Sequence, residues 1–393
     1  MMPELLWANE HLQQIIAFRR ELHRFPEPSC NEFQTHQRLR RWLQKMDVSF
    51  LSPADNITIA VLEPLQAKGP VIGIRCDTDA LEVEEQTGLP FQSENEGFMH
   101  ACGHDAHMAM GLGACMYWKE HPEQIKGAVK VIFQPAEEGG GGAQQTVRTG
   151  LLDDVHAFLG LHVWPQLNKG QISISDGPLC SCTDILSIRI HGRGGHGAYP
   201  NLCADAVTAS AALVMELQHI VSRFTPPMQP VVLTLGSLSA GTRWNVIAEE
   251  AQIEGTLRTF DDDLRERILT RIREIVEHIA AAHQCRGEIN VINQAKLVLN
   301  DPLVSKITRA AACDIFVPDH ILQLGPVMIG DDFSEYRSVA PSCYALLGVG
   351  GNDRDYPPLH HGKFTLDEDA LALGTAFFCH AVRRLQEGNL KCR

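Results

Sequence analysis

Within six residues the chain spells His100-Ala101-Cys102-Gly103-His104-Asp105, a thiol and an imidazole two positions apart. Thiolate and neutral imidazole at that spacing form a pincer for a divalent cation of the zinc kind. A polar stretch at 92–97 precedes the pair and a run of small residues, 106–114, follows it. Cys102 and His104 are therefore expected in the turn that opens a helix, where the helix dipole favours a thiolate. A Cys-x-His pair also occurs as a plain turn over a buried thiol, so the metal reading depends on the remaining donors.

In an open α/β sheet, functional groups gather beyond the carboxyl ends of the strands. The strand-like run 71–75 leads into Cys76-Asp77-Thr78-Asp79, two acids one residue apart. The run 129–133 leads into Gln134-Pro135-Ala136-Glu137-Glu138 and four glycines, and 157–161 leads into His162-Val163-Trp164-Pro165. Further on, 344–349 and a loop over 352–355 lead to Leu359-His360-His361-Gly362. Each has an ordinary explanation: Asp-x-Asp is commonly a solvated turn, Glu-Glu a surface pair, a lone His a satisfied core residue. Thiol, imidazole and carboxylate recurring at every sheet end are better explained by one shared metal centre. Cys180-Ser181-Cys182 has no further donor nearby in the sequence and is left out of it.

The elements that must position these groups follow from periodicity. Leu12, Ile15, Ile16 and Leu22 recur at helical spacing, Pro26 and Pro28 interrupt, and a helix resumes over 33–46. Strands at 57–62, 71–75 and 129–133, with a helix over 108–120, describe an α/β layered domain with a mostly parallel sheet. From 183 to 291 a second rhythm runs: strand 185–191, helix 204–223, strands 230–238 and 252–258, helix 263–283, strand 287–291. This β-α-β-β-α-β order is that of a ferredoxin-like split unit. The expected organisation is a metal-binding domain of 1–182 with 292–393, and an inserted domain of 183–291.

Composition limits the partners. At 393 residues, 44% of them apolar, the chain exceeds one ordinary core and suffices for two domains. Lys and Arg total 34 against 48 Asp and Glu, a net charge of -14, with no basic patch, so neither nucleic acid nor an anionic membrane is expected as a partner. No basic leader with an apolar stretch opens the chain, and no apolar run approaches the ~18 residues of a membrane span. A cytoplasmic protein acting on small molecules is expected. The 12 cysteines are scattered, many within apolar runs, as reduced core thiols rather than a disulfide framework.

The strings ELHRFPEPS, RCDTDALEV, HACGHDAHMAMGLGA, FQPAEEGGGGA, GLHVWP, GRGGHGAYP, NVIAEEAQIEGTLRTF, GDDFSEY and LHHGKF follow one another from Glu21 to Phe364. In that order they resemble the motifs of the dimetal amidohydrolase family that includes hippurate hydrolase, N-acetyl-diaminopimelate deacetylase and plant indole-acetyl-amino-acid hydrolases. The resemblance implies a zinc-peptidase-like α/β catalytic domain with an inserted lid or dimerisation domain. It implies two divalent metal ions (Zn, Mn, Ni or Co) held by Cys102, His104, Glu138, His162 and His360, with His361 a neighbour. It further implies Glu137 as general base, Asp79 as the acid that orients an imidazole or the base, and His196, Asn245 and Arg258 as substrate-binding groups. The implied reaction is hydrolysis of an N-acyl amino acid, acetyl, benzoyl or similar, by a homodimer joined through the inserted domain. That domain is expected to close over the site, with His196 acting on either chain's substrate.

The chain departs from the family pattern at Thr78 and Glu82 in the acidic loop, at Asn201 where His is usual, at Asp331 where Glu is common, and at Gly362 where Pro is common. None of these removes an implied ligand or base; they bear on substrate preference. Two other readings stay open: a thiol hydrolase with Cys102 as nucleophile and His104 as base, and a catalytically silent binding protein on the same fold.

Overall fold

The computed structural model describes residues 2–66, 68–139, 141–351 and 356–388; the loop expected over 352–355 and Gly140 of the glycine run lie outside them. The chain divides into two compact units. One comprises Met1–Leu179, Leu299–Gly325 and Asp332–Arg393, the other Cys180–Val298 and Pro326–Asp331.

The first unit is built on an eight-stranded mixed sheet. In spatial order its strands are Ser49–Ala54, Ile57–Leu62, Val129–Gln134, Val71–Asp77, Val155–Asn168, Ser342–Gly350, Ile172–Ser173 and Ile321–Leu322. The central four, from Val129–Gln134 to Ser342–Gly350, run parallel. Their residues are buried almost throughout, which is why their sequences are continuous apolar runs rather than alternating ones. The edge strand Ser49–Ala54 is largely exposed and carries Pro53, which blunts it against further pairing. The helix His104–Glu120 is buried from His104 to Trp118, and its apolar circumference marks it as the central helix. It packs against the helices Leu12–Arg24 and Ala370–Glu387 and the strand Val71–Asp77.

Two boundaries differ from the sequence expectation in ways that matter for function. The helix begins at His104 rather than 108, so a donor opens its first turn. The strand Val155–Asn168 does not stop at 161, because its pairing with Ser342–Gly350 continues through Leu346 opposite His162 and Gly348 opposite Trp164. His162 is thus held within a strand, with less freedom than a loop residue.

The second unit carries a four-stranded antiparallel sheet in the order Val231–Ala240, Glu250–Thr259, Cys182–His191, Arg286–Ala295. Chain order and spatial order together are those of a split β-α-β-β-α-β unit. The helices Ala206–Leu217 and Asp262–Ala282 bury one apolar stripe each with the sheet. Both start at an aspartate cap: Asp205 accepts from the Val207 amide and Asp261 from the Leu264 amide. This unit reaches past 291, because the last strand keeps its pairing with Cys182–His191 to Ala295. It also takes in 326–331, where the Ser181 amide donates to the Ile329 carbonyl at 2.8 Å. Among the described residues no helix is long and apolar enough to cross a membrane.

Gly160 sits directly opposite Tyr344 in the parallel pair, and a Cβ there would lie 2.4 Å from the Tyr344 ring and 2.9 Å from Phe333. Those two rings are stacked at 4.6 Å and cannot part cheaply. Gly160→Ala is expected to destabilise the protein by about 1–3 kcal/mol. Urea unfolding is the check, and an unchanged midpoint contradicts this account.

Candidate metal centre

Donors from distant segments meet beyond the ends of the parallel strands. Gly103, between Cys102 and His104, has φ +85°, and a Cβ there would lie 2.4 Å from Val163; only glycine meets both demands. The turn after Val129–Gln134 is entered through Ala136 at φ +53°, and His360 itself stands at φ +66°. Left-handed backbone at non-glycine residues is strained and persists only where surrounding contacts impose it, often at functional sites.

The donor atoms of Cys102, His104 and His162 lie within 4.8 Å of one another, as do those of Cys102, Glu138 and His360 and those of His104, Glu137 and Glu138. The five ligands implied by the sequence thus form two triads that share the Cys102 thiol, with Glu137 alongside. His360 places Nε2 3.2 Å from Glu138 Oε1, whereas His361 turns away and accepts from the Lys363 amide.

Hydrogen bonds set the tautomers. His104 Nδ1 donates to the Asp79 carbonyl at 2.8 Å, and His162 Nδ1 donates to the Val163 carbonyl at 2.7 Å. In its neutral form each ring is left with a lone pair on Nε2. His162 Nε2 faces Cys102 Sγ at 3.4 Å, so the imidazole that the thiol meets is His162 rather than His104. Asp79 ties the cluster together: Oδ2 accepts from Ser29 Oγ at 2.6 Å and from the Glu138 amide at 2.9 Å. Behind the site Asp105 accepts from Arg19 Nε at 2.9 Å and His23 Nδ1 at 2.8 Å, while His100 is buried beside it.

The electrostatics fit a cation. His104 Nε2 and Glu138 Oε1 are buried without a hydrogen-bond partner, 4.0 Å apart and too far to bond each other. Burial alone would lower the His104 imidazole, but Asp77, Asp79 and Glu138 push it up to about 10. Burial, with Glu138 and Glu137, holds the Cys102 thiol well above its usual range. Burial, with the His107 ring, keeps the His162 imidazole neutral. A pocket that draws protons to His104 and Cys102 is short of positive charge, and divalent cations on a thiolate, a carboxylate and neutral imidazoles supply it.

Asp77, His104 and His107 also cluster within 4.8 Å, but Asp77 and His107 are committed to other partners. Asp77 is ion-paired to Arg75 through Oδ2 and bonded to His107 Nδ1 through Oδ1, while His107 Nε2 accepts from the Val163 amide at 2.9 Å. Arg75, 2% exposed, also donates to Gln134 Oε1, Tyr344 Oη and Asp332 Oδ1. Burial would raise the Asp77 carboxyl; Arg75 and the two imidazoles outweigh it and hold it well below the carboxylate range. Sequence reasoning gave Arg75, His107 and Asp332 no role. The signal was present in Arg75, a charge at the end of a buried apolar run, which requires partners.

The three substrate-binding candidates lie in the second unit. His196 and Asn245 come together there: His196 pairs with Val246 in a two-stranded ribbon, and the Gly197 amide donates to the Asn245 carbonyl at 2.9 Å. Asn245 Oδ1 is buried without a partner. Arg258 stands on Glu250–Thr259 and already donates to the Met328 carbonyl at 2.7 Å.

The sequence profile of Peptidase family M20/M25/M40 matches residues 73–384. The chain is 35% identical to N-acetyl-L-cysteine deacetylase of Bacillus subtilis (strain 168) over 377 residues, 96% of this chain and 89% of that protein. It is 37% identical to N-acetyldiaminopimelate deacetylase of Geobacillus sp. (strain WCH70) over 376 residues, 93% and 96% of the two chains. The crystal structure of the Bacillus subtilis YXEP protein, a dinuclear metal binding peptidase from the M20 family, matches with a TM-score of 0.85 at 32% identity, covering 96% of this chain and 99% of that one.

The Arg75 network yields a stability test. Arg75→Met leaves Asp77 and Asp332 buried without their guanidinium, and a loss of about 3–5 kcal/mol is expected. Equilibrium unfolding in urea measures it, and a variant as stable as the parent rules out this account of the network.

Proposed function

The chain belongs to peptidase family M20/M25/M40, and from that premise we propose that it hydrolyses the amide bond of N-acyl amino acids, N-acetyl amino acids foremost, to a carboxylic acid and a free amino acid. It is a metal-dependent amidohydrolase. The observation that carries the reading is the pair of donor triads sharing Cys102, with the Glu137 carboxylate beside them. The deacetylase relatives support an acetyl substrate.

In this reading Cys102, His104, Glu138, His162 and His360 hold two divalent cations, and the mixed donor set suits zinc, manganese, nickel or cobalt. Cations held there would supply Lewis acidity toward the scissile carbonyl and lower the pKa of a water. Glu137 accepts that proton and passes it to the nitrogen of the leaving amino acid, serving first as base and then as acid. Asp79 fixes the His104 ring and the Glu138 amide, so that both ligands keep their position as charge moves. His196 and Asn245 are assigned as donors to the substrate and Arg258 as a partner for its carboxylate. The exposed apolar residues Met215, Leu238 and Trp244 of the second unit support pairing of two copies through it. The free thiols of the described cysteines suit a cytoplasmic location.

A thiol-nucleophile mechanism is disfavoured, since burial and the nearby carboxylates keep Cys102 protonated in the absence of metal.

Purified protein is expected to carry about two metal ions per chain, to lose N-acetyl amino acid hydrolysis on chelation, and to recover it with one of the four metals. Full activity of the metal-free protein would falsify the reading. Cys102→Ser should lower metal content in elemental analysis, with activity falling as a result. Glu137→Gln should retain both metals and lose roughly 10²–10⁴-fold in kcat; turnover at the parent rate would refute its role as base.

A further inference from the structure

We propose that Glu32 is a positioning residue for Glu137, latching the turn that carries it from the side opposite Asp79; this rests on the reading of Glu137 as base. Glu32 is fully buried and, among the described residues, belongs to none of the donor groups that could hold a metal. A single oxygen, Oε1, accepts from the Ala136 amide at 2.7 Å and from the Cys30 amide at 3.0 Å, while Oε2 accepts from Asn56 Nδ2 at 3.4 Å. On the far side of Glu137 the Glu138 amide donates to Asp79 Oδ2 at 2.9 Å. The residue before Glu137 and the residue after it are therefore each held through their N–H by a buried carboxyl group.

The two holds are joined through one loop. Ser29 donates to Asp79 at 2.6 Å, Cys30 stands at φ +68° with its amide on Glu32, and Glu32 reaches Ala136. Ala136, at φ +53°, is the strained residue that sets the direction of the turn, and strain of this kind relaxes unless something over-determines it. Glu32 supplies that contact one residue before the base. Keeping a carboxyl group here is costly: burial, with Asp79 adding to it, raises Glu32 to about 7. A side chain needed only for filling would be apolar.

Three substitutions separate latch from charge. Glu32→Gln keeps an acceptor oxygen at the same reach and removes the charge. Glu32→Asp keeps the charge and withdraws the acceptor by one methylene. Glu32→Ala removes both. Misplacement of a reacting group by about 1 Å can cost on the order of 10²-fold in rate. The Asp and Ala variants are therefore expected to lose roughly tenfold or more in kcat, with KM and two-metal content kept, while Gln retains most of the parent kcat. Parent-like kcat in Asp and Ala overturns the proposal. So does a kcat loss in Gln as large as that in Asp, or loss of metal or melting temperature in step with kcat, each of which marks Glu32 as a charge or a support of the fold. Should the Ala variant fail to fold, the Asp and Gln pair decides alone. Glu137→Gln is assayed alongside: turnover at the parent rate there means the base reading has failed, whereas an inactive Glu137→Gln beside a fully active Glu32→Asp removes the latch only.

Discussion

A carboxylate can be taken out of water only where a cation or several donors meet it, and the first unit gathers Glu32, Asp77, Asp79 and Asp105, all essentially buried, around one helix start. Each meets partners, although Asp79 Oδ1 and Asp105 Oδ1 accept no hydrogen bond. Asp77 faces Arg75 and His107, Asp105 faces Arg19 and His23, Asp79 faces Ser29, the Glu138 amide and, through Oδ1 at 3.2 Å, His104, and Glu32 faces two amides. Beside the Cys102 thiol, His104 Nε2 and Glu138 Oε1 are buried without a hydrogen bond, with His360 Nε2 3.2 Å from Glu138 Oε1. Carboxylate, thiol and imidazole donors therefore gather around Cys102, His104 and Glu138 with few cationic partners. Divalent cations would supply the missing positive charge there.

The fold makes this concentration possible by ending buried parallel strands at one rim. Donors at 77, 102, 104, 107, 137, 138, 162 and 360 come together from separate elements, and the segments 29–32 and 79 hydrogen-bond to the turn that carries Glu137. Rigid strands and the buried helix His104–Glu120 fix most of these side chains, while the Glu137 turn and His360 rely on left-handed backbone held by neighbouring contacts. Precision is therefore shared unequally. Cys102, His104 and His162 are pinned by secondary structure or the glycine between them, whereas Glu137, Glu138 and His360 are pinned by hydrogen bonds from other loops, such as the one from the His360 amide to the Ala101 carbonyl.

The amino-acid sequence by itself determined the kinds of donor, the strands they follow and the split unit between them. These are local properties: a residue's chemistry, its spacing from the next, and a periodicity of two or 3.6 all lie along the chain. Only the tertiary structure decided that His162 is held inside a strand and that its Nε2 stands 3.4 Å from the Cys102 thiol. The extent of the second unit, to Val298 and across 326–331, was decided there too. So were the roles of Arg75, His107 and Glu32, whose partners stand on other elements. Hydrogen-bond partners, strand register and burial depend on what the fold sets across from a residue, which spacing along one sequence does not specify.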